Sequence, residues 1–294
     1  MSTLKIGIPK GSLQDATVRL FEHAGYPIYI SSRSYTLTFD DEELEGMLLR
    51  PQEMALYVER GHLDIGIAGK DWVVETGADV LTIAELHYNR ASRRPARWVL
   101  AVPEDSPIRS IQDVDGKVIY TELVRTTEQW LAEHGVKADV RFSHGVTEAK
   151  VPYLCDAIVD LTETGSSLRA NRLRIVAEMI QSYPVIVANK EAWTNSWKRS
   201  KIEDIVMLLQ GALAADSKVG LKMNVPESCL EAVLAQLPAM KRPTISPLTN
   251  GGSDERWFAV ETIVDQSQVR DLIPKLRRAG ASDFIEYPLN KVIP

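Results

Sequence analysis

The chain has 294 residues, of which 45% are hydrophobic and 25% charged, and its formal net charge is −6. These proportions are typical of a globular protein, and the length is sufficient for two or three compact units. The negative charge argues against nucleic-acid binding by bulk electrostatics, and no apolar run is long enough to cross a membrane. The N-terminus lacks a signal-peptide pattern, and the two cysteines are too few for a disulfide framework. We therefore expect a cytoplasmic protein without nucleic-acid or membrane partners.

Apolar runs alternate with helical patterns in the first part of the chain. Strands are predicted over residues 4–8, 28–30 and 64–68, and helices after Ser12, over 51–61 and over 71–77. This alternation predicts a parallel sheet with helices on both faces. We assign residues 1–95 to a first lobe.

The same alternation continues in a second α/β lobe, assigned to residues 96–171. Its strands are predicted over 97–102, 117–120, 139–142 and 156–161, with a helix over 122–134. The chain is then expected to return to the first lobe through strands at 175–179 and 184–187 and a long helix over 191–215. Residues 172–215 would thus complete the first lobe.

The pattern changes after a polar break at 216–218. Strands and helices then follow in the order β-α-β-β-α-β through residue 294, which is the order of a ferredoxin-like domain. Such domains often bind small regulatory molecules. The residues alone equally allow a domain that serves only packing or dimerisation.

The segment from Asp156 to Leu168 is the most informative in the chain. An apolar strand ends near Asp160, a loop rich in hydroxyls with one glycine follows, and a helix begins near Ser167. Unpaired N–H groups at a helix start favour anions, and Gly165 allows close approach of the backbone. Asp160 would repel phosphate but suits a sugar hydroxyl. The segment predicts a sugar-phosphate site, although an ordinary helix cap explains the same residues.

This segment, together with Glu148, resembles the signature of the ATP phosphoribosyltransferase family. The signature has a glutamate, a spacer, an apolar strand ending in aspartate, and a Ser/Thr-Gly loop; here Ser167 replaces a usual threonine and Leu154 a usual glycine. Three further landmarks lie in the family's order, at residues 6–13, 50–61 and 64–71. The resemblance covers essentially the whole chain. It implies a two-lobe core of the type II periplasmic-binding-protein fold with a C-terminal ferredoxin-like (βαββαβ) regulatory domain.

The resemblance also implies a reaction. Enzymes of this family are pentosyltransferases that transfer phosphoribosyl from phosphoribosyl pyrophosphate to N1 of ATP and release pyrophosphate, as the first step of histidine biosynthesis. No protein nucleophile is needed, because the protein aligns two anions and stabilises the leaving group. Mg²⁺ is expected as the cofactor, carried by the substrate diphosphate without direct protein ligands. The family also implies homo-oligomers, from dimers to a hexamer.

Candidate site residues follow from these motifs. Lys10, Glu148 and Asp160 are predicted to be catalytic. The phosphoribosyl pyrophosphate loop comprises Thr162, Glu163, Thr164, Gly165, Ser166 and Ser167. The predicted ATP-binding residues are Gly11, Arg33, Arg50, Lys70 and Asp71. Lys10 could instead be a solvated turn lysine, and Asp71 a helix cap as well as an acceptor for the adenine amine.

The regulatory assignment rests on the resemblance. The family binds histidine as a feedback inhibitor in its C-terminal domain, and four positions match that pocket: Asn224, Met240, Thr244 and Asp283. Asn224 and Thr244 carry groups that can hydrogen-bond the ligand, and Met240 can pack against an imidazole.

A non-catalytic cytoplasmic solute-binding or sensor protein of the same two-lobe fold is the alternative, since fold alone does not define function. The hydroxyl-rich loop beside Asp160 favours the enzyme. The five histidines show no metal-binding spacing. A basic run with nearby aromatics, at Arg90, Arg93, Arg94 and Arg97, is compatible with RNA, but a cleft lining or a salt-bridged loop explains it better.

Overall fold

The structure is a computed structural model that describes residues 2–31, 34–88, 94–238, 243–249 and 255–293. It comprises two compact units. The first contains Met1–Glu22 and Tyr26–Val206, and the second contains His23–Gly25 and Met207–Pro294. Among the described residues, none of the helices combines the length and apolar character that a membrane span requires.

The first lobe of the first unit is built on a seven-stranded sheet. Its elements in chain order are β1 (Leu4–Pro9), α1 (Gln14–Ala24), β2 (Ile28–Ile30), β3 (Thr36–Phe39), β4 (Leu44–Leu49), α2 (Pro51–Glu59), β5 (Ile65–Gly69), α3 (Lys70–Thr76) and β6 (Leu81–Glu85), completed later in the chain by β12 (Pro184–Ala188). The strand order is β2-β3-β4-β1-β5-β12-β6.

This sheet is mixed, whereas the sequence predicted a parallel one. β1 runs parallel to both β4 and β5, but β12 runs antiparallel to β5 and β6 because it enters from the second lobe. The pair β3 and β4 forms a hairpin that the sequence analysis missed. Its alternating buried and exposed residues, as in Thr36–Phe39, are the usual pattern of a half-buried strand.

The second lobe contains a five-stranded sheet. Its elements are β7 (Ala96–Pro103), β8 (Val118–Thr121), α4 (Val124–Glu133), β9 (Asp139–Phe142), β10 (Ala157–Thr162), α5 (Ser166–Ala170) and β11 (Leu173–Ser182). The order is β11-β7-β10-β8-β9, and buried Trp98, Leu100 and Val159 belong to the core beneath it. The two sheets agree with the predicted two-lobe core.

The return to the first lobe occurs later than predicted. The segment 175–179 was expected in the first lobe, but it belongs to β11, which pairs antiparallel with β7 in the second sheet. The chain re-enters the first sheet only at Pro184. The predicted helix over 191–215 is divided into α6 (Lys190–Thr194) and α7 (Ser196–Ala215). The break lies at Asn195, whose side chain accepts a hydrogen bond from the Lys198 N–H, as N-cap residues do.

The second unit has a four-stranded antiparallel sheet with the order β14-β15-β13-β16. Its elements are β13 (Lys218–Pro226), α8 (Leu230–Leu234), β14 (Thr244–Pro247), β15 (Trp257–Asp265), α9 (Gln266–Arg278) and β16 (Ser282–Pro288). Alternate residues of β13 and β15 pack against the helices, so one face of the sheet forms the core of this unit. The βαββαβ order confirms the predicted ferredoxin-like arrangement.

Candidate active site

A cavity of about 670 Å³ lies in the first unit and is lined by both lobes. The carboxyl ends of β1, β5 and β10 open onto it, as expected for a ligand site in α/β sheets. The lining residues that were predicted from sequence are Lys10, Gly11, Arg50, Asp71, Asp160, Thr162, Glu163, Thr164, Ser166 and Ser167. Residues that are more than a hundred positions apart in sequence therefore share one pocket.

The hydroxyl-rich loop between β10 and α5 forms one wall of this pocket. Gly165 has φ 72°, a left-handed conformation that glycine adopts readily. The Gly165 N–H donates to Thr162 Oγ1 at 2.8 Å, and Arg169 Nη1 donates to the Thr164 carbonyl at 3.0 Å. These bonds hold the loop in a defined shape in which Ser166 and Ser167 face the cavity.

Asp160 precedes this loop, and its carboxylate is mostly buried. The Leu161 N–H donates to Asp160 Oδ1 at 2.8 Å. The pKa of Asp160 is raised to about 7, chiefly by burial and also by the negative charges of Glu148 and Glu122, against the opposing effects of the Leu161 bond and Lys150. Glu148 is outside the cavity lining, but it is close enough to act on Asp160 through its charge. A carboxylate in this environment is poorly satisfied without a hydrogen-bond donor from a ligand.

Asp71 lies deeper in the pocket, and its carboxylate is already occupied. Ser182 Oγ donates to Asp71 Oδ1 at 2.9 Å, the Trp72 N–H donates to the same oxygen at 3.0 Å, and Trp98 Nε1 donates to Asp71 Oδ2 at 2.6 Å. Burial nevertheless raises the pKa of Asp71, because it outweighs these three bonds. Asp71 joins α3 of the first lobe to β7 and β11 of the second.

Three basic or flexible positions occupy the first-lobe side of the cavity. Lys10 follows β1, and its Nζ lies 4.0 Å from the centre of the Tyr35 ring, a cation–π contact. Arg50 is the N-cap of α2, and Gly11 has φ 121°. A Cβ at Gly11 would lie 3.8 Å from Arg50 Nη1, so the turn and the arginine adjoin. This rim carries the positive charge that an anionic ligand needs.

Sequence reasoning missed several polar residues of the pocket, among them Gln52 and Glu122. Glu122 directly follows β8, and the Gln52 side chain hydrogen-bonds to it from the first turn of α2. Burial raises the pKa of Glu122, while Gln52 and the charge of Lys150 counteract part of that rise. Its position just after a strand was the available signal, because polar residues at strand ends line such sites.

Other predicted residues lie elsewhere. Lys70 is outside the cavity lining, and its Nζ pairs with Glu85 Oε1 at 2.8 Å. Arg33 lies outside the described residues. Arg97 of the basic run pairs with Glu178 at 3.2 Å within the second sheet, whereas Arg90 and Arg93 lie outside the described part of the chain.

The predicted regulatory residues lie in the second unit. Asn224 Nδ2 donates to Asp283 Oδ2 at 3.0 Å, which brings two of the four together, and Asp283 has φ 53°. Thr244 begins the edge strand β14, exposed and opposite Glu261. Met240 lies outside the described residues.

Neither metal ligation nor cysteine chemistry is evident in the described part of the chain. No group of three or more His, Cys, Asp or Glu residues there could hold a metal ion. Burial raises the pKa of the Cys155 thiol to about 11, so this group stays protonated and unreactive near neutral pH.

Comparisons with family models and with individual proteins indicate the same family. The family model described as ATP phosphoribosyltransferase matches residues 50–211, and the model of the HisG C-terminal domain matches residues 215–291. An ATP phosphoribosyltransferase of Thermodesulfovibrio yellowstonii is 56% identical over 291 residues, covering 99% of this chain and 98% of its own. One of Chlorobaculum parvum is 55% identical over 292 residues, covering 99% and 98%.

A solved structure supports the fold. The ATP phosphoribosyl transferase (HisG:HisZ) complex from Thermotoga maritima matches with a TM-score of 0.60 at 24% identity, over 71% of this chain and 99% of that one. At this identity the likeness shows a shared fold and nothing finer.

Proposed function

The chain belongs to the ATP phosphoribosyltransferase family, which catalyses the first step of histidine biosynthesis, and on that premise we propose how its pocket binds the two substrates. The enzyme is a pentosyltransferase that uses ATP and phosphoribosyl pyrophosphate. Full-length relatives above 50% identity that bear this activity leave the non-catalytic sensor without support. The observation that carries the proposal is the shared cavity, in which a hydroxyl-rich loop, a buried carboxylate and a basic rim face one another.

Phosphoribosyl pyrophosphate binds at the second-lobe wall in this proposal. The loop from Thr162 to Ser167 receives the 5′-phosphate through backbone N–H groups and hydroxyls, with Gly165 permitting close approach. Asp160 accepts hydrogen bonds from the ribose hydroxyls, and the negative charge of nearby Glu148 increases its need for such donors. Two ribose O–H donors would satisfy the buried Asp160 carboxylate and lower its pKa towards the ordinary range.

ATP and the departing pyrophosphate bind at the first-lobe rim. Lys10 and Arg50 supply positive charge to the phosphates, and Gly11 lets the backbone approach them. When bound to the substrate diphosphate, Mg²⁺ would neutralise part of the charge that grows as pyrophosphate departs. Lys70 is left out of this set because its ammonium pairs with Glu85.

Catalysis then depends on alignment and electrostatics. Adenine N1 displaces pyrophosphate at the anomeric carbon through a transition state with oxocarbenium character. Holding both anions in one cavity supplies the orientation, and Lys10, Arg50 and Mg²⁺ stabilise the leaving group. No side chain forms a covalent bond to the sugar in this scheme.

Membership of the family is the basis on which we propose feedback inhibition by histidine and assembly into homo-oligomers. Histidine binds to the second unit near Asn224, Met240, Thr244 and Asp283 and inhibits through coupling between two global states. The Asn224–Asp283 hydrogen bond supports a polar cluster at this position. We place the enzyme in the cytoplasm as a homo-oligomer of dimers that form a hexamer.

Calorimetric titrations of each substrate with Mg²⁺ test the two walls separately. Ser167→Ala should weaken phosphoribosyl pyrophosphate binding about tenfold or more, the scale of one hydrogen bond to a charged group, and leave ATP binding nearly unchanged. Lys10→Met should instead weaken the binding of ATP and of free pyrophosphate, both of which Ser167→Ala should leave nearly unchanged. Lys117→Met is the control, because it removes one exposed positive charge outside the pocket. If both pocket variants weaken the same substrate equally, the assignment of walls is wrong.

A further inference from the structure

Four carboxylates line the cavity within the described part of the chain: Asp71, Glu122, Asp160 and Glu163. Three of them have a role in the arrangement above. Asp71 accepts three hydrogen bonds from the protein, Asp160 faces the ribose, and Glu163 belongs to the phosphate loop. Glu122 remains without a role. Its contact with Gln52 involves a neutral amide, and the charges of Lys150 and His144 offset only part of the effect of burial, which raises the pKa of Glu122.

The reaction creates a positive charge close to this carboxylate. The N1 lone pair forms the bond to the anomeric carbon, and the bond from that carbon to pyrophosphate breaks with its electron pair leaving on oxygen. The adenine thereby acquires one positive charge, spread over N1, C6 and the exocyclic N6 amine. No proton has to move in this step. A protein acceptor beside N6 therefore interacts more strongly with the base in the transition state than in the ground state. Such a difference lowers the barrier of the reaction.

We infer that Glu122 accepts a hydrogen bond from the adenine N6 amine and stabilises the positive charge that develops on the base as N1 is alkylated. This inference rests on the proposed placement of the ribose at Asp160. It also gives Asp71, the residue first predicted to contact the amine, a positioning role between the lobes instead.

The surroundings of Glu122 support this role. Glu122, Asp71 and Asp160 line the same cavity. Strands β8 and β10 pair in parallel with Thr121 opposite Val159, so Glu122 and Asp160 follow at the same end of neighbouring strands. Because N1 bonds to the ribose that Asp160 holds, the N1–C6–N6 edge must come within a few ångströms of this region. Lys150, whose charge also acts on Glu122, has other partners: its Nζ donates to Ser143 Oγ and lies 5.2 Å from the centre of the Tyr120 ring.

Gln52 prepares the carboxylate for this contact. It reaches Glu122 from α2 of the first lobe, whereas Glu122 belongs to the second lobe. This contact favours the ionised form of Glu122, which is the form that can accept a hydrogen bond from the base. Glu122→Gln can keep a hydrogen bond to Gln52, so the variant removes the charge with little other change.

Equilibrium binding of N1-methyl-ATP tests the inference without turnover, because its base carries the positive charge that alkylation of N1 creates. The measured quantity is the preference for N1-methyl-ATP over ATP in calorimetric titrations. Glu122→Gln should reduce this preference about tenfold relative to wild type. Glu128→Gln, an exposed glutamate on the adjacent α4, should leave it unchanged. An unchanged preference in Glu122→Gln overturns the inference.

Turnover supplies a second readout. Glu122→Gln should lower kcat about tenfold or more, while the KM for phosphoribosyl pyrophosphate changes little. An ATP analogue that lacks the N6 amine should react equally slowly with the wild type and the variant. If the variant slows the analogue as much as it slows ATP, Glu122 acts through something other than the amine.

The outcome can be separated from a failure of the proposed site. Asp160→Asn should weaken phosphoribosyl pyrophosphate binding whether or not Glu122 contacts adenine. Normal binding by Asp160→Asn would refute the ribose placement, whereas a normal base preference in Glu122→Gln refutes only the present inference. If Glu122→Gln unfolds at the assay temperature, Glu122→Asp can be used instead, because its shorter side chain moves the charge away from the base. Glu122→Asp should reduce the preference for N1-methyl-ATP over ATP about threefold. An unchanged preference in this variant would overturn the inference.

Discussion

Two carboxylates of the same cavity, one buried and one partly buried, have opposite surroundings. Asp71 is 3% exposed and accepts three hydrogen bonds from Ser182, Trp72 and Trp98. Asp160 accepts one, from the backbone of its own neighbour, and is close to two further carboxylates, Glu148 and Glu122. Both groups have raised pKa values because of burial.

The difference distinguishes a structural group from a binding group. The protein satisfies Asp71 completely, so its removal leaves buried donors without acceptors. It leaves Asp160 with spare acceptor capacity and unfavourable neighbours, which a ligand with hydroxyl donors can relieve. Asp71 should therefore matter mainly for stability and Asp160 mainly for catalysis.

The largest expected effect is a loss of stability on removal of Asp71. Asp71→Ala leaves the Trp98 indole N–H and the Ser182 hydroxyl unpaired in a buried site, at about 1–3 kcal/mol for each group. We expect a total loss of roughly 2–4 kcal/mol in the free energy of unfolding, measured by urea denaturation. Specific activity of the folded protein should fall by less than it does for Asp160→Asn. Near-normal stability of Asp71→Ala together with a raised KM for ATP would instead support a direct contact between Asp71 and adenine.

Removal of the Asp160 charge should affect catalysis. Asp160→Asn is expected to lower kcat/KM by roughly 1.5–3 kcal/mol, because the ribose hydroxyls lose a charged acceptor. Steady-state kinetics with phosphoribosyl pyrophosphate as the varied substrate measure this loss. A variant with unaltered kcat/KM would remove the distinction between the two carboxylates.

The loop beside Asp160 can be tested with two matched glycines. Gly165 (φ 72°) and Gly135 (φ 71°) share the left-handed conformation, but only Gly165 belongs to the phosphate loop. Alanine at either position should cost about 1–2 kcal/mol of stability through backbone strain. Gly165→Ala should also raise the KM for phosphoribosyl pyrophosphate about tenfold, since its Cβ would lie 2.9 Å from Arg169 Nη1 and displace the guanidinium that bonds the Thr164 carbonyl of the loop. Equal KM values in the two variants would argue against the loop assignment.

The second unit allows the same reasoning at a proposed regulatory site. The exposed Thr244 hydroxyl resembles Asp160 in being available to a ligand, whereas Asn224 and Asp283 already bond each other. Thr244→Val should raise the histidine concentration for half-inhibition about tenfold, equivalent to about 1.4 kcal/mol, with uninhibited kcat nearly unchanged. Equal inhibition of Thr244→Val and wild type would exclude this hydroxyl as a histidine contact.

A pH-dependent gain of stability is also expected in Asp160→Asn. The folded-state pKa of about 7 exceeds the ordinary value of 3.8, so the folded state binds more protons than the unfolded state between these values. Stability of the unliganded wild type therefore falls as pH rises through this window. Asparagine removes that loss, so the variant should be more stable than the wild type at pH 8 and similar to it at pH 4. Thermal melting at both pH values measures the difference, and an equal difference at both would contradict the raised pKa.

Local sequence was sufficient for the features that neighbouring residues determine. The strand, hydroxyl-rich loop and helix around Asp160, and the left-handed Gly165, could be predicted because they depend on residues within a few positions. The βαββαβ order of the second unit followed from its periodicity in the same way. The hairpin of β3 and β4 had the same kind of signal, a short alternation that was overlooked.

Tertiary structure decided the contacts between distant residues. Ser182 is 111 positions from Asp71 in sequence and Trp98 is 27, so no local pattern could reveal that the Asp71 carboxylate is fully bonded. The pairing of β11 with β7, and the contact between Gln52 and Glu122, likewise depend on how the sheets and lobes pack. Backbone preferences are local properties of the chain, whereas the partners and burial of a polar side chain are set only when distant segments come together.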